Sequence, residues 1–196
     1  MEKLKQIFEA NHGYARMKEL KNQGIHTRKI AQAVENRIVE KVKPGLYKLV
    51  DYPWDENSSF IGISQAKDSA VICLTSAIAY YELSTINPSV ISVAVPMNTD
   101  KFKLEYPPIK VYYFSESLYN LGIDEVQVVS GNFKIYNAEK TICDLFRYRN
   151  KLGEDIALEG LKNYLGKESA NINKLWDYAI RCKVKTILHP YIKAMV

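Results

Sequence analysis

The chain has 196 residues, 47% hydrophobic and 25% charged, with 27 Lys and Arg against 22 Asp and Glu. That length allows one large domain or two small ones, each with its own core, and the composition excludes a disordered tail, a collagen-like chain and a small disulfide scaffold. No apolar run approaches the roughly 20 residues that span a bilayer, and the first ten residues are amphipathic and charged, so the chain is expected in the cytoplasm with no membrane partner.

The net charge of +5 is not spread evenly. Residues 1–52 hold 11 Lys and Arg against 6 Asp and Glu, whereas the other 144 residues hold 16 of each. Charge confined to one segment implies a polyanionic partner for that segment. It ends at Asp51-Tyr-Pro-Trp-Asp-Glu-Asn-Ser-Ser59, a stretch with linker composition, which places a domain boundary there: 1–52 and 60–196.

In chain order, Leu4, Ile7 and Phe8 recur at helical spacing, and Asn11-His-Gly13 stops a first helix over 2–10. A second helix is expected over 15–21, with Met17 and Leu20 inward, ending at Asn22-Gln-Gly24 in a left-handed cap. Thr27 is suited to cap a third helix with Ile30, Ala31 and Val34 on its core face and Arg28, Lys29 and Gln32 opposite. Residues 38–42 and 46–50 read as a hairpin around Lys43-Pro44-Gly45.

Helix, helix, turn, helix and hairpin in about 50 basic residues is the order of a winged helix-turn-helix, whose helix after the turn enters the major groove of DNA. Arg28, Lys29 and Gln32 are types that make bidentate contacts to guanine or adenine edges, with Thr27 beside them. Tyr14 and Arg16, expected near the amino end of the second helix, and Lys41, Lys43 and Lys48 on the wing are candidates for the flanking backbone. Tyr14 and Tyr47 read equally well as core-edge aromatics, and only one of the wing's two faces meets a duplex, which favours Lys43 at the turn over Lys41 and Lys48.

Beyond residue 60 the pattern is α+β, a sheet flanked by helices and ending in a helical group. A helix is expected over 68–81, strands over 90–95 and 109–114, and a hairpin of 126–130 and 133–136 turning at Gly131-Asn132. Asn137 caps a helix to about 150, and three more follow near 154–165, 171–182 and 185–194.

Catalytic signatures are missing. Gly160-Leu-Lys-Asn-Tyr-Leu-Gly166-Lys167 has the wrong glycine spacing for a phosphate loop, and Glu168 stands where a hydroxyl should bind magnesium. His12, His26 and His189 are scattered, and a Cys143/His189 pair assisted by Asp144 has no motif behind it. Cys73, Cys143 and Cys182 are widely spaced, lack a Cys-x-x-Cys pair and read as reduced, buried thiols. The expectation is a chain that is not an enzyme and needs no metal or cofactor. Two basic runs in the second domain, Arg147-Tyr-Arg149-Asn-Lys151 and Arg181-Cys-Lys183-Val-Lys185, read first as helix-end cations. Arg147, Arg149, Arg181, Lys183 and Lys185 are alternatively additional phosphate contacts that lengthen the footprint on DNA.

Four segments in order, Phe8-Glu-Ala-Asn-His-Gly-Tyr-Ala15, Lys43-Pro-Gly-Leu-Tyr47, Ala70-Val-Ile-Cys-Leu-Thr-Ser-Ala77 and Glu139-Lys-Thr-Ile-Cys-Asp-Leu-Phe-Arg147, resemble the AbiEi antitoxin family of bacterial abortive-infection systems. The resemblance implies a type IV toxin–antitoxin member, active in phage defence. Its winged helix represses its own operon by binding promoter inverted repeats, two copies to one operator. Its second domain counteracts a nucleotidyltransferase toxin without needing a stable complex. From the residues alone, the competing reading is a winged-helix regulator that responds to a small molecule held in an apolar pocket of the α+β domain.

Overall fold

The computed structural model describes residues 2–52 and 56–195. It is α+β, and the chain divides into two compact units: 1–68 with segments 103–107 and 126–133, and 69–102 with 108–125 and 134–196.

In the first unit, α1 (Glu2–Ala10) buries Leu4 and Phe8, one turn apart, on its apolar stripe. The Asn11 side chain donates to the Ile7 carbonyl at 2.8 Å, closing that helix. The chain continues as β1 (Tyr14–Arg16), α2 (Met17–Asn22), α3 (Thr27–Glu35), β2 (Val39–Lys43), β3 (Leu46–Leu49) and α4 (Ser58–Ala66). Between α2 and α3, Gly24 has φ +79°, and a β-carbon there would meet nothing within 4 Å, so backbone conformation alone makes glycine the fitting residue. The strands form an antiparallel sheet in the order β1-β3-β2.

Register sorts this sheet's side chains between two faces. Ala15, Tyr47 and Lys41 are cross-strand neighbours, and Ala15 and Tyr47 join Leu4, Phe8, Leu20, Ile25, Ile30 and Ala33 in the core beneath the first three helices. Tyr14, Lys48 and Glu40 share the opposite face. Helix α4 covers that face: the Tyr14 hydroxyl donates to the Ser58 carbonyl at 3.4 Å, and a β-carbon on Gly62 would come within 2.9 Å of that hydroxyl.

A mixed sheet in the order β6-β5-β4-β8-β7 is formed by β4 (Val71–Ile72), β5 (Ile91–Pro96), β6 (Ile109–Phe114), β7 (Ile123–Val128) and β8 (Gly131–Tyr136), and the second unit holds all of it but residues 126–133 of the last hairpin. β5 runs parallel to β6, and β4 is antiparallel to β5 but parallel to β8. The helices are α5 (Leu74–Tyr80), α6 (Glu116–Tyr119), α7 (Ala138–Leu152), α8 (Glu154–Leu165), α9 (Ile172–Arg181) and α10 (Lys185–Met195). Asn137 and Asn171 cap α7 and α9 by accepting from the Lys140 and Lys174 amides.

Helix α7 is the unit's axis, packed against α5, α8 and α9, with residues 139–146 all buried. Lys140 and Asp144 form an ion pair with both side chains fully buried. The Lys140 ammonium also lies 4.2 Å from the Tyr136 ring centre and 4.8 Å from that of Phe114. Burial raises the Asp144 pKa despite the lysine, and Asp144 Oδ1 has no hydrogen-bond partner among the described residues.

The structure departs from the sequence reading in identifiable places. Residues 15 and 16, expected to open the second helix, are strand together with Tyr14, because the Gly13 turn at φ +81° delivers them to β3. Ala33, not Ala31, lies inward on α3, and His26 rather than Thr27 occupies its N-cap. The helix expected over 68–81 is a two-residue strand followed by α5, which begins at Leu74 with φ +48°. The second hairpin turns at Val129-Ser130 rather than Gly131-Asn132. Helices α4 and α6 have no counterpart in the sequence reading. Of the expected linker, residues 53–55 lie outside the described residues, while Ser58 and Ser59 begin α4. Helix α4 groups with the first unit, past the expected boundary, because its cover of the Tyr14 face belongs to that sheet.

Removing one member of a buried ion pair strands the other charge, at about 3–5 kcal/mol. Lys140→Met should therefore lower unfolding free energy by that order in urea titration, and Lys140→Met with Asp144→Leu should cost less than Lys140→Met alone.

Candidate nucleic-acid interface

The α3 helix presents a polar face opposite its buried Ile30 and Ala33. Thr27, Arg28, Lys29 and Gln32 are all exposed on it. Arg28 and Gln32 stand four positions apart and Lys29 and Gln32 three, so the three side chains form one patch. Among the described residues, the side chains of Arg28, Lys29 and Gln32 have neither hydrogen-bond nor ion-pair partners, and their polar groups are left to solvent.

The remaining candidates of this unit do not join that patch as free groups. Tyr14 is buried, and desolvation, with a smaller contribution from Glu40, pushes its phenol up to about 12. It is a core side chain rather than a helix-start contact. Arg16 donates to the Gln65 carbonyl at 3.1 Å and to Asp68 at 2.9 Å. Lys43, expected free at the wing tip, donates instead to the Ala66 carbonyl. Its pKa is lowered, first by partial burial and then by Arg16 and Lys67.

The last carbonyls of a helix have no intrahelical partner, and cations there also meet the negative end of the helix dipole. Arg16 and Lys43 supply both to α4, a role that no sequence signal advertises because none marks α4 itself. Lys48 sits in the central strand, partly exposed, 5.9 Å over the Tyr14 ring and opposite Glu40. Lys41 is exposed on the edge strand β2. The hairpin tip, Pro44 and Gly45, is exposed.

In the second unit the two basic runs separate. Arg149 donates to the Phe146 carbonyl at 2.8 Å and lies 3.9 Å from Glu154, a helix-end role. Lys185 begins α10 and is exposed. Arg147, Arg181 and Lys183 line one cavity of about 370 Å³. Its lining is mixed, with Ser115 and Ser117 beside the three cations and Leu118 and Cys182 as apolar wall.

Cys73, Cys143 and Cys182 are free and buried. Cys143 contacts the Leu175 carbonyl at 3.9 Å and has Cys182 as a neighbour, whereas His189 lies against Trp176. The Cys182 contact and burial raise the Cys143 thiol. Among the described residues no group of three His, Cys, Asp or Glu is placed to hold a metal ion, and no helix is long and apolar enough to cross a membrane.

No protein-family model and no curated protein matches this sequence.

The two bonds of Arg16 differ in worth. Its partner Asp68 is 85% exposed, which leaves the ion pair worth under about 1 kcal/mol, whereas the Gln65 carbonyl is a helix-end acceptor. Arg16→Ala should lower the urea midpoint by the equivalent of about 1–2 kcal/mol, and Asp68→Asn by distinctly less. Equal losses would show that the ion pair, not the helix end, is what Arg16 serves.

Proposed function

We propose that the first unit is a winged helix-turn-helix that binds duplex DNA, and that the protein is the antitoxin and autorepressor of an AbiEi-type toxin–antitoxin operon. The observation that carries the DNA-binding reading is the α3 patch, where Arg28, Lys29 and Gln32 stand exposed and unpartnered among the described residues. It belongs to the segment that holds the whole +5 excess. Supporting it are the α2–Gly24–α3 turn and the β2/β3 hairpin with its exposed tip. In this reading α3 lies in the major groove, with Arg28 suited to guanine and Gln32 to adenine. Lys29 and Lys41 serve phosphates. Arg16 and Lys43 hold the module together rather than touch the duplex.

The four motif segments support the further step to an antitoxin that represses its own promoter at inverted repeats, one copy on each arm. The functional partner is a nucleotidyltransferase toxin that forms no stable complex with this chain. The protein itself catalyses nothing in this account, needs no cofactor and works in the cytoplasm.

If each copy neutralises roughly 4–5 phosphates, the log–log dependence of affinity on salt for the pair has a slope of about −8. Fluorescence anisotropy on the promoter duplex between about 50 and 200 mM salt measures it, and a flat response would end the reading. Arg28→Ala or Gln32→Ala should cost about 1–3 kcal/mol and relax base preference, while Lys29→Ala weakens all sequences alike and flattens the slope by about 1. Full-length Arg28→Ala, co-expressed with the neighbouring toxin, should lose promoter repression yet still rescue growth. Failure of rescue with normal folding would sink the division of labour.

A further inference from the structure

The cavity in the second unit gathers cations from separate elements. Arg147 comes from α7, Arg181 from the end of α9 and Lys183 from the turn beyond it, with Ser115 and Ser117 at the start of α6 and buried Cys182 in the wall. The Arg147 guanidinium lies 5.7 Å from the ring centres of both Phe114 and Tyr148, which touch each other, and 3.8 Å from the buried Asp144. Asp144 is already paired with Lys140. Arg181 pairs with Asp177 at 3.0 Å, and Lys183 has no ion-pair partner among the described residues. These cations stand around a hollow of about 370 Å³, within the small-ligand range, with Asp177 paired to Arg181 and the exposed Glu116 between the two serines in sequence.

We propose that this cavity is a binding site for a small phosphate monoester. A monoester carries close to two negative charges at neutral pH and three strong acceptor oxygens, which suit three cations and the mixed Arg, Lys and Ser donors. A phosphodiester, free or in a nucleic-acid backbone, carries one charge and fits less well. Arg147, oriented from behind by Asp144, supplies the fixed planar donor, while Arg181, Lys183 and the two serine hydroxyls complete the ring of donors. The site is independent of the DNA-binding reading, since every residue in it belongs to the second unit.

Lys183 offers a selective test, because its φ of +58° is a conformation that glycine adopts freely. Lys183→Gly removes the ammonium without asking the backbone to change. Isothermal titration of the full chain with inorganic phosphate and adenosine 5′-monophosphate, at ionic strength fixed with chloride, should show saturable binding. The cyclic 3′,5′ diester of the same nucleoside should bind about tenfold more weakly, and Lys183→Gly and Arg181→Gln should each weaken the monoester by about tenfold, the order expected for losing one charge-assisted hydrogen bond. The melting temperature of unliganded Lys183→Gly should match that of the parent chain. No saturation by about 10 mM monoester, equal binding of the diester, or an unaltered response in both variants would each overturn the proposal. A Lys183→Gly chain that loses duplex affinity while neither chain binds monoester would assign these cations to a nucleic-acid backbone instead.

Discussion

Helix α4 ends on carbonyl groups that no further helical turn can satisfy, and the adjacent sheet meets them with two cations, Arg16 from β1 and Lys43 from β2. Much about the first unit follows from that need. It keeps α4 on the Tyr14 face of the sheet and so gives a three-stranded sheet cover on both sides, where a lone hairpin would be marginal. It also decides which basic groups stay in solvent. Of the charged side chains that composition marks as available to a polyanion, those on the sheet near α4 are consumed internally, and those on α3 are not. The division between structural and free charge is set by where helix ends fall.

Legibility in the sequence follows how local each signal is. The carboxy-terminal helices can be read because asparagine caps, a glycine between α7 and α8, and long apolar periodicity all act within one or two turns. Helix α8 falls on the expected residues 154–165, and β6 on 109–114. The segment 68–81 reads wrongly as one helix because Val71 and Ile72 continue a helical apolar spacing, while their true state is set by strands far along the chain, β5 on one side and β8 on the other. Nothing within those few residues separates a two-residue central strand from a helix start. Tyr14 and Arg16 escape sequence reading for the same reason, since their strand exists only through pairing with 46–48. Arg28, Lys29 and Gln32 are legible because exposure opposite a buried stripe is a property of one helix alone.

The segment from Glu139 to Arg147 shows the other limit. As sequence it is a stretch of mixed charge within an expected helix; in the fold, residues 139–146 are buried. Spacings of four and then three put Lys140, Asp144 and Arg147 on one side of α7, and Glu139 turns to the Tyr164 hydroxyl at 2.8 Å and to Lys174 at 3.1 Å. Burying charge is costly unless each group finds a partner, so such a helix demands a particular set of neighbours. Cys73, Tyr136 and Phe114 complete that set, and it could not be assembled from spacing alone. Buried charge also gives Arg147 a fixed posture, which an arginine on an open surface would lack.

Net charge proves a coarse guide at this scale. The second stretch of the chain balances its acids and bases, yet the turn after α9 and the outer end of α7 set Arg147, Arg181 and Lys183 around one hollow. Balance over 144 residues constrains the far field, which falls off within about 10 Å at moderate salt, and says nothing of a site only a few ångströms across. The first stretch is the converse. Its +5 is real in the far field and would steer a polyanion toward it, and in the proposed reading the contacts that discriminate sequence come from the few groups left free on α3. Segment charge therefore locates an encounter surface, and the hydrogen-bond census of individual cations locates the site.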